Sequence, residues 1–177
     1  MIKFSEMKYE RPDVEAAKQK LAEQTRKLKA AASYEEAKAL FLELEEESKH
    51  LQTMATLCSI RHSIDTRDEF YDAEMKFYNR ELPKIQPLKQ RWTDELLRSP
   101  FRKALEEKYG EVALLNAELQ NRTFKPELVE DLQRESELVS RYTKLIASAQ
   151  IPFDGKMCTI SQMEPYKLSV DDDVRRA

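Results

Sequence analysis

Three side chains near the first third of the chain, Cys58, His62 and Asp65, have the types and spacing that chemistry uses. At i, i+4 and i+7 they share one face of a helix, because helical neighbours recur every three to four residues. A thiol beside an imidazole begins a nucleophile–base dyad, and thiol, imidazole and carboxylate together are metal ligands. Either use needs a further group from elsewhere in the chain. The alternative that the flanking charges favour is a hydrogen-bonded network, in which Arg61 and Arg67 satisfy Asp65 and Asp68 while His62 bridges helices. The other histidine, His50, lies about 18 Å from His62 along one straight helix, too far to share a metal with it. Asp171, Asp172 and Asp173 suit the acidic first turn of a helix better than a calcium loop.

No His-Glu-x-x-His, Gly-x-x-x-x-Gly-Lys or Gly-x-Ser-x-Gly occurs in the 177 residues, so the chain holds no complete catalytic or metal motif of these kinds. Its 33 acidic and 30 basic residues are interspersed, with a net charge of −3, and form no basic stripe for a phosphate backbone. Nucleic acid is not an expected partner. No apolar run approaches the roughly 18 residues of a membrane span, and the start lacks a basic, then apolar, leader. The expectation is therefore a cytoplasmic protein without membrane contact, its two cysteines, Cys58 and Cys158, reduced.

The elements that must position these residues are helices. With 36% charged residues, 41% hydrophobic ones and only 2 glycines, the composition is that of long amphipathic helices. Val14, Ala17, Leu21, Thr25 and Leu28 mark the first, and the second runs from a Ser33/Glu36 capping pattern through Phe41, Leu51 and Met54 to Cys58. The face that buries Leu44, Leu51 and Met54 turns polar at Cys58, His62 and Asp65. A Thr66/Glu69 pattern opens a third helix carrying Phe70, Glu74, Phe77, Tyr78 and Trp92, kinked or interrupted by Pro83 and Pro87. Its aromatics are expected in the core.

A short fourth helix follows Ser99-Pro100 and ends at Gly110, a fifth spans about 112–122, and a sixth starts at Pro126 with Leu128, Val129, Leu132, Val139, Tyr142 and Ile146 on one side. Asp154-Gly155 between two short runs predicts a hairpin within 151–160, which must lean on the helices or on strands from elsewhere. From Ser169 the chain resembles the start of another helix, and continuation of the sequence past Ala177 is expected.

The stretch from Met54 to Tyr71, MATLCSIRHSIDTRDEFY, closely resembles the N-terminal region of oligoendopeptidase F-type zinc metallopeptidases, relatives of thimet oligopeptidase. Tyr9-Glu10-Arg11-Pro12, Ser99-Pro100-Phe101-Arg102 and the stretch from Leu138 to Ile151 resemble the same region, in the same order. The resemblance implies a hydrolase, a metalloendopeptidase that cuts short peptides, with zinc held by the histidines of His-Glu-x-x-His and a downstream glutamate. None of those residues is in this chain.

The expected fold is thus mainly α: a bundle or array of about six helices over residues 1–150, then a small hairpin and the start of the next helix over 151–177, leading toward an absent catalytic domain. The chain is expected to form one wall of the parent's substrate channel, to bind no zinc itself, and to be inactive alone. Arg61, His62, Asp65 and Arg67 are the candidates for contacts with that catalytic domain or with peptide. A stand-alone helical interaction module is the alternative, and a small metal-binding protein built on Cys58, His62 and Asp65 a third.

Overall fold

In a computed structural model the structure describes residues 3–176. Helices account for most of it, as the composition requires, and the chain divides into two compact units, Met1–Arg134 and Glu135–Ala177. No helix among the described residues is long and apolar enough to cross a membrane.

The first unit begins with an extended segment containing a single 3-10 turn at Phe4–Glu6, then α1 (Val14–Ala30) and α2 (Tyr34–Ile64). Asp13 caps α1 by accepting from the Ala16 N–H, and Ser33 caps α2 by accepting from the Glu36 N–H. Glu36 reaches back to accept from the Ala32 N–H, so the capping is reciprocal. At 31 residues α2 is about 46 Å long, enough to serve two packing sites. Near its start Ala37, Leu40 and Phe41 join the core, and near its end Met54, Leu57 and Cys58 are buried.

The single helix predicted beyond residue 69 is two, α3 (Glu69–Glu81) and α4 (Gln86–Arg98), separated by a 3-10 turn at Pro83–Ile85. Proline lacks the N–H needed to continue an α-helix and breaks it where Pro83 stands. The start also differs: the cap is Asp68, accepting from the Tyr71 N–H at 3.0 Å, rather than Thr66. α5 (Arg102–Tyr109) and α6 (Glu111–Thr123) meet at Gly110, whose φ of 95° lies in the region glycine tolerates.

The core is built from one face of each helix. Val14, Leu21 and Leu28 of α1 recur every seven residues and pack with Trp92 and Leu96 of α4, Leu105 of α5 and Leu114 of α6. Phe41 stacks on Trp92 at 6.1 Å and lies 5.0 Å from Tyr109. Phe70, expected in this core, is instead 56% exposed. It is the second residue of α3, in line with Glu74 one turn on, but it stands at the helix's open first turn, where its ring meets only those of Tyr9 at 5.9 Å and Tyr71 at 5.0 Å among the ring contacts of the described residues.

After a 3-10 turn at Pro126–Leu128 comes α7 (Val129–Ala147), most of which belongs to the second unit. β1 (Ile151–Phe153) pairs antiparallel with β2 (Lys156–Cys158), Ile151 opposite Cys158. Asp154 and Gly155 have φ of 49° and 70°, the left-handed pair that a two-residue hairpin turn demands. The hairpin leans on α8 (Ile160–Lys167), which the sequence reading did not anticipate: the Phe153 and Tyr166 rings lie 4.7 Å apart. Thr159 and Gln162 form a reciprocal capping box at the start of α8. The last helix, α9 (Asp172–Arg176), starts on Asp171, which accepts from the Asp173 N–H. Ala177 lies outside the described residues.

Candidate functional site

The residues singled out by spacing lie where α2 ends and α3 begins, and the fold separates them. Cys58 and His62 are both buried on the inner face of α2, as the i, i+4 relation requires. Asp65 is not with them. The helix stops at Ile64, and Asp65, in extended backbone, turns outward to accept from the N–H and the Nε of Arg67 at 3.0 and 3.1 Å. Those bonds hold its carboxyl below the usual range.

His62 faces a different carboxylate. Its Nε2 lies 3.6 Å from Asp72 Oδ1 on α3, beyond hydrogen-bond reach, while Asp72 pairs with Lys76 at 3.0 Å. The expected bridge between helices is thus not a hydrogen bond: the imidazole of α2 faces Asp72 of α3 without bonding to it. The Cys58 thiol meets the Tyr71 carbonyl at 4.0 Å, and burial pushes it up to about 11. A buried thiol shifted in that direction is a poor nucleophile. Among the described residues no three His, Cys, Asp or Glu side chains converge as a cation site. Cys58, His62 and Asp65 do not fit zinc.

Arg61 does other work than the expected pairing with Asp65 or Asp68. Its guanidinium donates to the Tyr71 hydroxyl at 2.6 Å and to the Met7 carbonyl, and lies near the faces of the Phe4 and Tyr71 rings. It ties the N-terminal segment across α2 and α3. Arg67 is almost wholly exposed.

The strongest electrostatic centre of this region is Glu74, which spacing placed on the apolar stripe of α3 without assigning it a partner. Only 2% exposed, it accepts from Arg11 Nε at 2.9 Å, from Arg11 Nη2 and from the Tyr9 hydroxyl, which lies 3.3 Å from the Tyr78 hydroxyl. The Arg11 guanidinium holds the Glu74 carboxyl below the usual glutamate range, and burial together with Glu74 pushes the Tyr9 phenol upward. Arg11 also stacks over Phe77 at 4.7 Å. A carboxylate on an apolar stripe demands a cation, and Tyr9-Glu10-Arg11-Pro12 was a second stretch singled out in the sequence. Those two signals together could have paired them.

The arrangement can therefore hold the segment 7–11 against α2 and α3, and it offers the exposed Asp65–Arg67 pair on the outside. Ile60, Ile64 and Phe70, on either side of the pair in the sequence, are exposed as well, Ile64 to 73%. It contains no nucleophile–base pair.

The family model of the peptidase M3 N-terminal domain matches residues 4–124. Three solved structures superpose on almost the whole chain. One assigned as oligoendopeptidase F is 40% identical, with a TM-score of 0.93 over 99% of this chain and 31% of its own. PZ peptidase A, solved with an inhibitor, is 40% identical with a TM-score of 0.92, covering 98% of this chain and 31% of its own. An oligoendopeptidase F assigned in Bacillus anthracis is 36% identical with a TM-score of 0.92, covering 99% and 32%. The chain thus spans about a third of the length of these neighbours. No curated protein matches it.

Proposed function

The chain belongs to the M3 peptidase family as its N-terminal domain, and on that premise we propose that it serves as the helical N-terminal portion of a zinc-dependent oligoendopeptidase that hydrolyses short peptides. The observation that carries this reading is the superposition at 40% identity over 99% of the chain. Zinc in such an enzyme polarises the scissile carbonyl and activates water, and the ligands for it are to be supplied by polypeptide outside these 177 residues.

This chain's own contribution is shape and charge. A wall of long helices gives an unfolded peptide room to lie alongside and keeps folded proteins away from the reacting centre. Asp65 and Arg67, exposed between Ile64 and Phe70, are the pair placed to meet a peptide or the catalytic portion. Arg61 and His62 stand behind them as positioning residues, the first through Tyr71 and Met7, the second through its approach to Asp72. The soluble, cytoplasmic setting expected from the sequence suits an enzyme of this type with reduced Cys58 and Cys158.

The test is a full-length chimera in which this chain replaces the matching third of the 40%-identical oligoendopeptidase F. It should cleave a short quenched peptide in a zinc-dependent manner and leave a folded protein of the same sequence content intact. A chimera that folds, binds zinc and cleaves no peptide would contradict the assignment.

A further inference from the structure

The second unit is amphipathic without being covered. Leu138, Val139, Tyr142, Leu145 and Ile146 of α7 fall within an arc of about 120° at 100° per residue, the width of a buried helix face. Yet none of the 19 residues of α7, all of them among the described residues, is buried. Val139, Tyr142 and Leu145 are 58%, 65% and 67% exposed. Together the five side chains leave on the order of 500 Å² open, at the upper end of what a soluble monomer tolerates. The face continues into a cleft of about 420 Å³, lined by Tyr142, Thr143, Ile146, Ala147 and, from the start of α8, Thr159 and Ile160.

Within the arc from Leu138 to Ile146 there is no charged residue; Arg141 lies to its flank and Lys144 on the opposite side of the helix. Such a dry surface suits a permanent contact, since transient interfaces carry more polar groups. The polypeptide to make it is accounted for: the neighbours that superpose on this whole chain are about three times as long.

We propose that this face of α7, with the cleft beside α8, is the seat on which the remaining two thirds of the peptidase polypeptide packs. The inference rests on the M3 assignment and adds the surface that joins the two portions. It separates two roles: the apolar face of the second unit holds the catalytic portion, while the polar end of α2 in the first is left to meet peptide.

Backbone hydrogen exchange tests it, comparing the isolated chain with the same residues in the full-length chimera. Amides from Leu138 to Ile146 should exchange at least about a hundredfold more slowly in the chimera. Val139→Asp with Leu145→Asp should leave the melting temperature of the isolated chain unchanged and lower that of the chimera. Where the charged pair prevents the chimera from folding, Leu145→Gln supplies the milder variant, and exchange in the unsubstituted chimera decides independently. Equal exchange in both proteins would overturn the proposal. So would an isolated chain that is a dimer by light scattering and becomes monomeric with the aspartates, since a second copy would then be the occupant. A chimera with protected α7 amides but no peptidase activity would refute the proposed function and leave the docking face standing; an active chimera with unprotected amides would do the reverse.

Discussion

The two units use the same helical material to opposite effect. In Met1–Arg134, apolar residues from α1, α2, α4, α5 and α6 close on one another, and Leu21, Leu28, Leu105 and Trp92 are nearly sealed from solvent. In Glu135–Ala177 the apolar periodicity is as regular, but among the described residues only Cys158 is buried. Amphipathicity states that a face will be covered; it does not state by which part of the polypeptide. A sequence reading that placed Val139, Tyr142 and Ile146 on one side of a helix had the face right and no means of knowing that these side chains stay largely exposed among the described residues.

The comparison breaks most sharply on paired truncations. Leu105→Ala, in the sealed core, should cost about 2–4 kcal/mol, whereas Leu145→Ala on α7 should fall within about 0.5 kcal/mol of the parent chain. Urea unfolding followed by circular dichroism measures both, and equal losses would mean that the second unit has a core of its own. The next largest effect is expected at the buried polar centre. Glu74→Gln leaves Arg11 without its anion and should cost about 2 kcal/mol. Proteolysis should then cut first within 7–11, the segment that Glu74 and Arg61 tie down.

A smaller effect follows from pH. Hydrogen bonds from Arg80 and Lys84, and from Lys18 on α1, draw the Glu81 carboxyl down to about 2 from an ordinary value of 4.5. A folded value below the unfolded one means that its stabilisation is complete above about pH 4.5 and is lost as pH falls toward 2. The urea midpoints of the parent and Glu81→Gln should therefore differ at neutral pH and converge near pH 2. A gap that persists at pH 2 would assign the effect of the substitution to packing.

The fold was legible where a local signal decides structure. Proline at 83 ends α3, glycine at 110 separates α5 from α6, and Asp154-Gly155 turns the hairpin, each for a backbone reason that acts within a few residues. The third helix opened two residues late because Asp68, not Thr66, offers the capping oxygen. α8 escaped notice because Pro165 interrupts an already short pattern, although the Thr159/Gln162 box stood in the sequence. The site was less legible. Asp65 was placed with Cys58 and His62 on the premise that α2 continues, and it ends one residue earlier. Glu74 could be seen as an anomaly on its stripe, but Arg11 lies 63 residues away, a distance that helical periodicity does not bridge. The family resemblance, by contrast, rested on whole stretches, and the M3 N-terminal match over 4–124 bears it out.

The proposal that this chain lines a peptidase site without performing the chemistry is tested most directly by the isolated 177-residue chain. Incubated with a short quenched peptide and a molar excess of zinc, it should give no hydrolysis above the buffer rate and retain no stoichiometric metal after dialysis. Zinc-dependent turnover that a chelator abolishes, with metal held one to one, would contradict it.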